Sequence, residues 1–584
     1  MFVDLMTAEG EHLADSPGET PWTRYPRPQM RRKQWLNLNG MWEFAVGDGT
    51  FPALYDRKIR VPFCPESRLS GIGTHFREGA ALYYRRRIAV PGGFDGGRVL
   101  LHIGAADQHL ECFVNGRKAG SHSGGYEQIT FDITDYLTEG ENEICFRCVD
   151  NLTDQRWPYG KQTLKRGGMW YTPVSGIWQT VWLEHVPEAY IRELHIENRG
   201  ASVTLHVEPR LSGTVTVAGL GCFALENGQV TITPENPRFW SPEDPFLYDF
   251  TLEAGADRIE SYFAIRTLEI KKIGAYQRLC LNGKPYFFHG LLDQGYWPDG
   301  LFTPAAPECY EWDIQAVKKL GFNTLRKHIK VEPEEFYYQC DRLGMIVFQD
   351  MVNNGPYHYI RDTALPTLSL TWQKILPDRW LHRNVDHRAA FLAGMEATVN
   401  QLKNHPSICC WTIFNEGWGQ FDSAAVYERL RALDDTRWVD ATSGWFRQEK
   451  TDVDSRHVYF RTVALKAADK PLVLSEFGGY SCKIEGHSFN PDETYGYGKF
   501  RQREEFVKAV QALYRLQVVP CVKKGLCAAI YTQVSDVEDE TNGLLTYDRR
   551  LEKLTAEEML PIAAALRDAL NETQKEVATS GEMG

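Results

Sequence analysis

From Trp35 to about Glu184 apolar and polar positions alternate in short runs, and Gly, Pro, Asn and Asp break each run. Gly-Met-Trp-Glu-Phe at 40–44, Ala-Leu-Tyr-Tyr-Arg-Arg-Arg-Ile at 81–88, Val-Leu-Leu-His-Ile at 99–103 and Val-Trp-Leu-Glu at 181–184 are examples. A period of two sends successive side chains to opposite faces of a strand. The segment therefore predicts a β-sandwich of jelly-roll type. From about Pro187 to Leu268 a smaller region repeats the rhythm, in Ser-Val-Thr-Leu-His-Val at 202–207, Gln-Val-Thr-Ile-Thr at 229–233 and Leu-Tyr-Asp-Phe-Thr-Leu at 247–252. Its length suits an immunoglobulin-like β-sandwich.

After Glu269 short apolar runs alternate with segments of helical period. The spacing predicts strands at 287–292, 323–329, 345–351, 408–416, 438–443, 457–460, 471–477 and 525–533. A helix is expected near 308–320, with Tyr310, Ile314 and Val317 on one face and Lys318, Lys319 and Gly321 at its end. A second opens at Pro333 and closes at Gly344. Eight strands alternating with helices are the signature of a (β/α)8 TIM barrel. A doubly wound sheet would want a Gly-rich phosphate loop after its first strand, and none is present. The expected domains are 1–186, 187–268 and 269–584, with a polar lead-in to about residue 30 and a frayed end over 572–584.

Composition narrows the function classes. The net charge is −12 with no long basic run, which argues against a nucleic-acid partner. No run of 18 apolar residues exists, so no membrane span is expected. Residues 1–21 lack a signal-peptide pattern, and the 13 Cys are scattered through apolar runs, as reduced thiols in a cytoplasmic protein would be. Cys145 and Cys148 are three apart in a strand, on opposite faces, which disfavours a shared metal. The 16 Trp and 27 Tyr suit sugar rings, although they also fill sandwich cores.

Chemistry on a barrel is expected where strands end. The fourth strand ends Trp-Thr-Ile-Phe-Asn415-Glu416 and the seventh Leu-Ser-Glu476, each delivering a carboxylate to the same rim. Hydrolysis of an acetal needs a proton for the leaving oxygen and an anion opposite the developing oxocarbenium ion, and two positioned carboxyls supply both. Strand-end Glu residues also serve as salt-bridge partners, so the pair carries more weight than either alone. A metal-dependent barrel would want paired His ligands; His289, His328 and His457 lie near strand ends without any His-x-His. A non-catalytic glycan-binding scaffold is the remaining alternative.

These segments resemble glycoside hydrolase family 2, which holds β-galactosidases, β-glucuronidases and β-mannosidases. The resemblance spans nearly the whole chain: Gly40-Met-Trp-Glu-Phe, Pro173-Val-Ser-Gly-Ile-Trp-Gln-Thr-Val-Trp-Leu-Glu184, Trp240-Ser-Pro-Glu-Asp-Pro-Phe-Leu-Tyr248, Leu281-Asn-Gly-Lys-Pro-Tyr-Phe-Phe-His-Gly290 and Asn404-His-Pro-Ser-Ile408. It implies a retaining exo-β-glycosidase acting on carbohydrate; no cofactor and no metal are expected. Glu416 would be the acid/base, Glu476 the nucleophile, Asn415 a ligand of the sugar 2-hydroxyl and Tyr459 a hydrogen-bond partner of the nucleophile. Family members often assemble through their sandwich domains, so the resemblance allows a homo-oligomer.

Sugar preference should come from the other strand ends. Arg326, His328 and Lys330 share a side if alternation persists, and their charge would suit a uronic acid, unless Glu332 and Asp350 absorb it. Asp350 and Gln533 are candidate polar contacts, Trp297 a candidate wall and Trp418 a candidate platform. Family β-glucuronidases carry an Asn-x-Lys after the last strands, whereas Thr541-Asn-Gly-Leu lacks it. The large β-galactosidases place an Arg-His-Glu-like magnesium ligand set near the first strand, where this chain reads Phe-His289-Gly-Leu, so that metal is not carried over. A β-hexuronide, galacturonide or glucuronide, is the leaning, with a neutral β-galactoside as the alternative.

Overall fold

The computed structural model describes residues 2–367 and 377–581. In the first sandwich a six-stranded and a four-stranded antiparallel sheet close over Trp42, Phe44, Leu101, Phe146 and Leu183. Residues 109–114 show the alternation directly, with Leu110, Cys112 and Val114 buried and their neighbours half-exposed. Cys148 joins this core while Cys145 lies beside Tyr55 on the other face. All thirteen thiols are free. The second sandwich, from Glu193 to Phe263, packs a three-stranded on a four-stranded sheet over Leu205, Val215, Leu252 and Ile259.

The barrel strands are β1 (Phe288–Asp293), β2 (Thr324–Lys327), β3 (Ile346–Asp350), β4 (Ile408–Asn415), β5 (Trp438–Ser443), β6 (Asp454–Val458), β7 (Leu472–Gly478) and β8 (Leu526–Thr532). They pair in parallel in the order β5-β4-β3-β2-β1-β8-β7-β6, and β5 against β6 completes the ring. Both faces of these strands are covered, which is why they read as continuous apolar runs rather than alternations. Strand β6 begins three residues before its apolar run. Ser455 turns inward to a serine cluster with Ser443 and Ser475, so its polarity hides the strand start.

Helix α1 (Glu308–Lys319) follows β1, and α2 (Glu334–Leu343) follows β2. Gly344 ends α2 at φ 73°, where a side chain would meet the Pro242 carbonyl at 2.7 Å. Glycine is required there by both backbone and space. The lead-in is irregular apart from a helix at Ala8–Asp15, and Thr7 ties it to the barrel through hydrogen bonds to Asp299 of 2.9 and 2.6 Å. The end of the chain departs from expectation: a helix runs from Ala556 to Gly581, through most of the segment read as frayed. Its early turns bury Met559, Ile562 and Leu566, and a helix so nucleated extends at little cost. No helix among the described residues is long and apolar enough to cross a membrane.

One connection of the first sandwich matters for the site. Residues 150–175 leave that domain and lie across the barrel mouth. The Tyr159 and Gly160 amides donate to the Asn353 carbonyl, the Tyr159 hydroxyl to the Gly355 carbonyl, and the Thr172 amide to Glu538.

Candidate active site

Strand β4 delivers Asn415, and Glu416 follows at φ 54°, in the left-handed region that non-glycine residues rarely adopt. Its amide is fixed to the Ser443 carbonyl at 2.9 Å. Glu476 lies within β7. Both carboxyls face one cavity, which with its opening to solvent holds about 790 Å³ of empty space. A carboxylate oxygen of each and one ring nitrogen of His457 all lie within 4.8 Å of one another. This trio is also the one group among the described residues with metal-ligand spacing. Its members already bond one another and their neighbours, with a guanidinium supplying positive charge at the same spot.

That guanidinium is Arg326. Its Nη1 donates to Glu476 Oε1 at 3.0 Å and to the Ser475 carbonyl at 3.1 Å. Its Nη2 donates to Asn415 Oδ1 at 2.9 Å and Asp350 Oδ2 at 3.0 Å, and its Nε to Asp350 Oδ1 at 2.9 Å. Five N–H groups meet five acceptors, so none remains for a ligand. The Tyr459 hydroxyl donates to the other oxygen of Glu476 at 2.5 Å. Burial pushes the Glu476 carboxyl upward, but the charges of His457 and Arg326 and the Tyr459 hydrogen bond outweigh it and hold the group at about 2. It is an anion throughout the neutral range. Asn415 spends its oxygen on Arg326, which leaves the amide N–H groups for the cavity it lines.

Glu416 is differently placed. Its side chain is 17% exposed against 6% for Glu476, and its partner is His457 Nδ1 at 2.8 Å. His457 Nε2 meets the Ser443 hydroxyl at 2.9 Å and lies 3.5 Å from Glu476, so the imidazole bridges the two carboxyls. The sequence pointed to Tyr459 as the partner of Glu476 and to His457 only as a metal ligand to be set aside, although the two-residue spacing puts both on one side of the chain at the end of β6.

Several expected contacts lie elsewhere. Asp350 gives both oxygens to Arg326 and one also to His328 Nδ1 at 2.8 Å, so it braces these side chains behind the cavity wall. His328 itself lines the cavity. Trp297 is buried beneath the Arg549 guanidinium and against Tyr310, away from the site, because the chain turns outward after β1. Trp418 is also buried, its Nε1 on the Gly355 carbonyl and its ring edge-on to Trp170 and Tyr357; it supports the mouth from below. Gln533 is fully buried and holds Glu540 at 3.0 Å while accepting from Gln294.

Alternation in β2 does not persist to Lys330. Ile329 adopts φ 53°, which throws Lys330 outward onto Glu332 and the Gly295 and Phe302 carbonyls. Lys327 meets Asp293 at 2.6 Å and Glu332 at 2.8 Å. The cations of β2 are thus spent on protein acids, and the case for a uronic acid loses its original footing. His289 is buried on the Gly321 carbonyl and Tyr514, outside the site.

Residues that the strand-end reading passed over complete the cavity: Lys161, Trp445, Tyr497, Glu540 and Asn542. The indole of Trp445 stands edge-on to His457, and its buried Nε1 has no partner among the described residues. Tyr497 stacks on Tyr459 at 4.5 Å.

Two sandwiches leading into a parallel barrel, with two glutamates across one mouth, define a multidomain barrel protein whose site is built from paired carboxyls. Family models carry the assignment further. The family 2 glycosyl hydrolase TIM-barrel model matches residues 272–554, the sugar-binding model 73–187, and the model described simply as glycosyl hydrolases family 2 matches 192–266. The chain belongs to glycoside hydrolase family 2. It is similar to a putative β-glucuronidase of Formosa agariphila, 25% identical over 57% of this chain and 39% of that protein. A β-galactosidase of Thermoanaerobacter pseudethanolicus is 24% identical over 58% of this chain and 45% of its own. The chain spans less than half the length of these two relatives. A crystal structure of a family 2 β-galacturonidase from Eisenbergiella tayi, bound to galacturonate, shares the fold: TM-score 0.67, 19% identity, covering 94% of this chain and 99% of that one.

Proposed function

We propose that the protein hydrolyses a terminal β-linked sugar with retention of configuration, using Glu476 as nucleophile and Glu416 as acid/base. The observation that carries this reading is the carboxyl pair. Two oxygens within 4.8 Å across one cavity fall in the close class of roughly 5 Å separations, not the roughly 6.5–9.5 Å that leaves room for an inverting water.

Glu476, held anionic by Arg326 and Tyr459, attacks the anomeric carbon. The glycosidic C–O bond breaks, and Glu416 gives its proton to the departing oxygen. Asn415, with its amide N–H groups turned inward, hydrogen-bonds the sugar 2-hydroxyl. The sugar is now esterified to Glu476. Glu416, ionised, then takes a proton from a water that attacks the same carbon and frees Glu476. Two inversions give net retention. The cavity is walled by the 150–175 connection on one side and by Tyr495 and Tyr497 on another, which suits a single terminal residue rather than a passing chain.

The sugar we favour is a β-hexuronide, galacturonide or glucuronide, because the Lys161 side chain lines the cavity with no protein partner among the described residues. A neutral β-galactoside is the second reading, favoured by Glu540, whose carboxylate suits sugar hydroxyls. Proton NMR of the first-formed product from a panel of aryl β-glycosides tests the proposal. The β-anomer should appear first and the uronides should be turned over fastest. An α-anomer first would overturn the role of Glu476, and turnover of neutral sugars alone would overturn the hexuronide reading.

A further inference from the structure

Lys161 belongs to the first sandwich, in the connection that lies across the barrel mouth. Its backbone is fixed on both sides. The preceding Gly160 amide is on the Asn353 carbonyl, and a side chain at 160 would meet the Ile329 carbonyl at 2.9 Å. The following Gln162 is buried, donating to Asp107 at 2.9 Å and accepting from the Val174 amide at 2.7 Å. Lys161's own carbonyl accepts from Tyr171. The ammonium, by contrast, makes no hydrogen bond or ion pair among the described residues, yet the side chain lines the catalytic cavity. Its charge is felt at Glu540 and at His328.

Across the same wall stands Asn542. It is 1% exposed, and both its side-chain nitrogen and its oxygen are buried without a partner among the described residues. A buried amide with nothing to bond is rare in a folded chain unless a ligand or water satisfies it. The other cations of the site are committed: Arg326 has no donor left, and Arg461 on the same wall has an interaction of its own. An unpaired ammonium and an unpaired amide therefore face one cavity from two domains. The ligand that satisfies both is a carboxylate, accepting from the ammonium and from the amide N–H groups.

We propose that Lys161 and Asn542 form the subsite for the carboxylate of the substrate's uronic acid, so that the first sandwich supplies the specificity-determining cation of the barrel's cavity. This rests on the hexuronide reading above. The experiment measures kcat/KM of the full chain for 4-nitrophenyl β-galacturonide, β-glucuronide and β-galactoside, with K161M, K161R and N542A beside wild type. Losing one charge-assisted hydrogen bond is worth about 10–100-fold. K161M should lower the ratio of uronide to galactoside kcat/KM by that factor, through KM more than kcat. K161R should recover most of it, and N542A should lower the ratio by a smaller factor. Thermal midpoints confirm folding, since the Lys161 side chain has no hydrogen bond to lose among the described residues.

If K161M lowers all substrates together, or changes none, the subsite proposal is overturned while the hexuronide reading stands; Lys161 then only balances Glu540. If wild type hydrolyses the galactoside and neither uronide, the hexuronide reading itself falls, before any variant is made.

Discussion

Glu416 and Glu476 are the same side chain in two different environments. Glu476 is sunk in β7, with Arg326 and His457 at one oxygen and Tyr459 at the other, and its carboxyl is held at about 2. Glu416 stands past the end of β4, more exposed, with His457 as the one hydrogen-bond partner of its carboxyl among the described residues. The contrast teaches how one barrel assigns two roles to identical groups. A nucleophile must stay ionised, so cations and donors surround it. A group that takes and gives protons must meet solvent and leaving group, so it is left accessible.

The comparison breaks if the two residues prove interchangeable. Glu476→Gln removes the attacking oxygen and should reduce kcat by at least ~10⁴-fold. In Glu476→Ala, which leaves room for an external anion, azide should restore turnover and give an α-azide product, and an unchanged rate in either variant would refute the assignment. Glu416→Ala should cost about 10²–10⁴-fold on sugars with poor leaving groups and much less on activated aryl glycosides. A loss independent of leaving group would remove Glu416 from proton transfer. Tyr459→Phe deletes one hydrogen bond to the Glu476 anion and should lower kcat by roughly 10–100-fold. It should also move the acid limb of the pH profile upward, and an unmoved limb would leave Tyr459 as packing.

The smallest effect is on stability. A folded-state value near 2, against the usual 4.5, means that the unfolded chain takes up the Glu476 proton first. The stabilisation it contributes is present above about pH 4.5 and is lost as pH falls toward 2. The difference in unfolding midpoint between wild type and Glu476→Gln should therefore shrink from pH 5 to pH 3. A constant difference would show that Glu476 does not feel its cations.

The legible parts of this protein are those whose cause is local. Strands β4 and β7 announce themselves because a strand buried on both faces is an apolar run, and a glutamate at its end stands out. Helix α2 shows its limits in Pro333 and Gly344 for reasons of backbone conformation. The start of β6 was hidden because Asp454, Ser455 and Arg456 are polar inside or at the edge of the barrel. Trp297 and Trp418 misled because an aromatic residue in a loop carries no direction: both are as buried as core residues yet neither lines the cavity. The cations at the end of β2 misled for two reasons: the left-handed turn at Ile329, which alternation cannot foresee, redirects Lys330, and Arg326 faces inward but spends its donors on protein acceptors.

The sequence by itself determined three domains, a barrel and the two glutamates at its rim, because periodicity and strand ends are properties of neighbouring residues. Only the tertiary structure decided that Arg326 clamps Glu476 and Asp350 together with Asn415 and the Ser475 carbonyl, that His457 joins the two carboxyls, and that a lysine from the first sandwich reaches the barrel mouth. Those are distances between residues far apart in the chain, and packing alone brings them together.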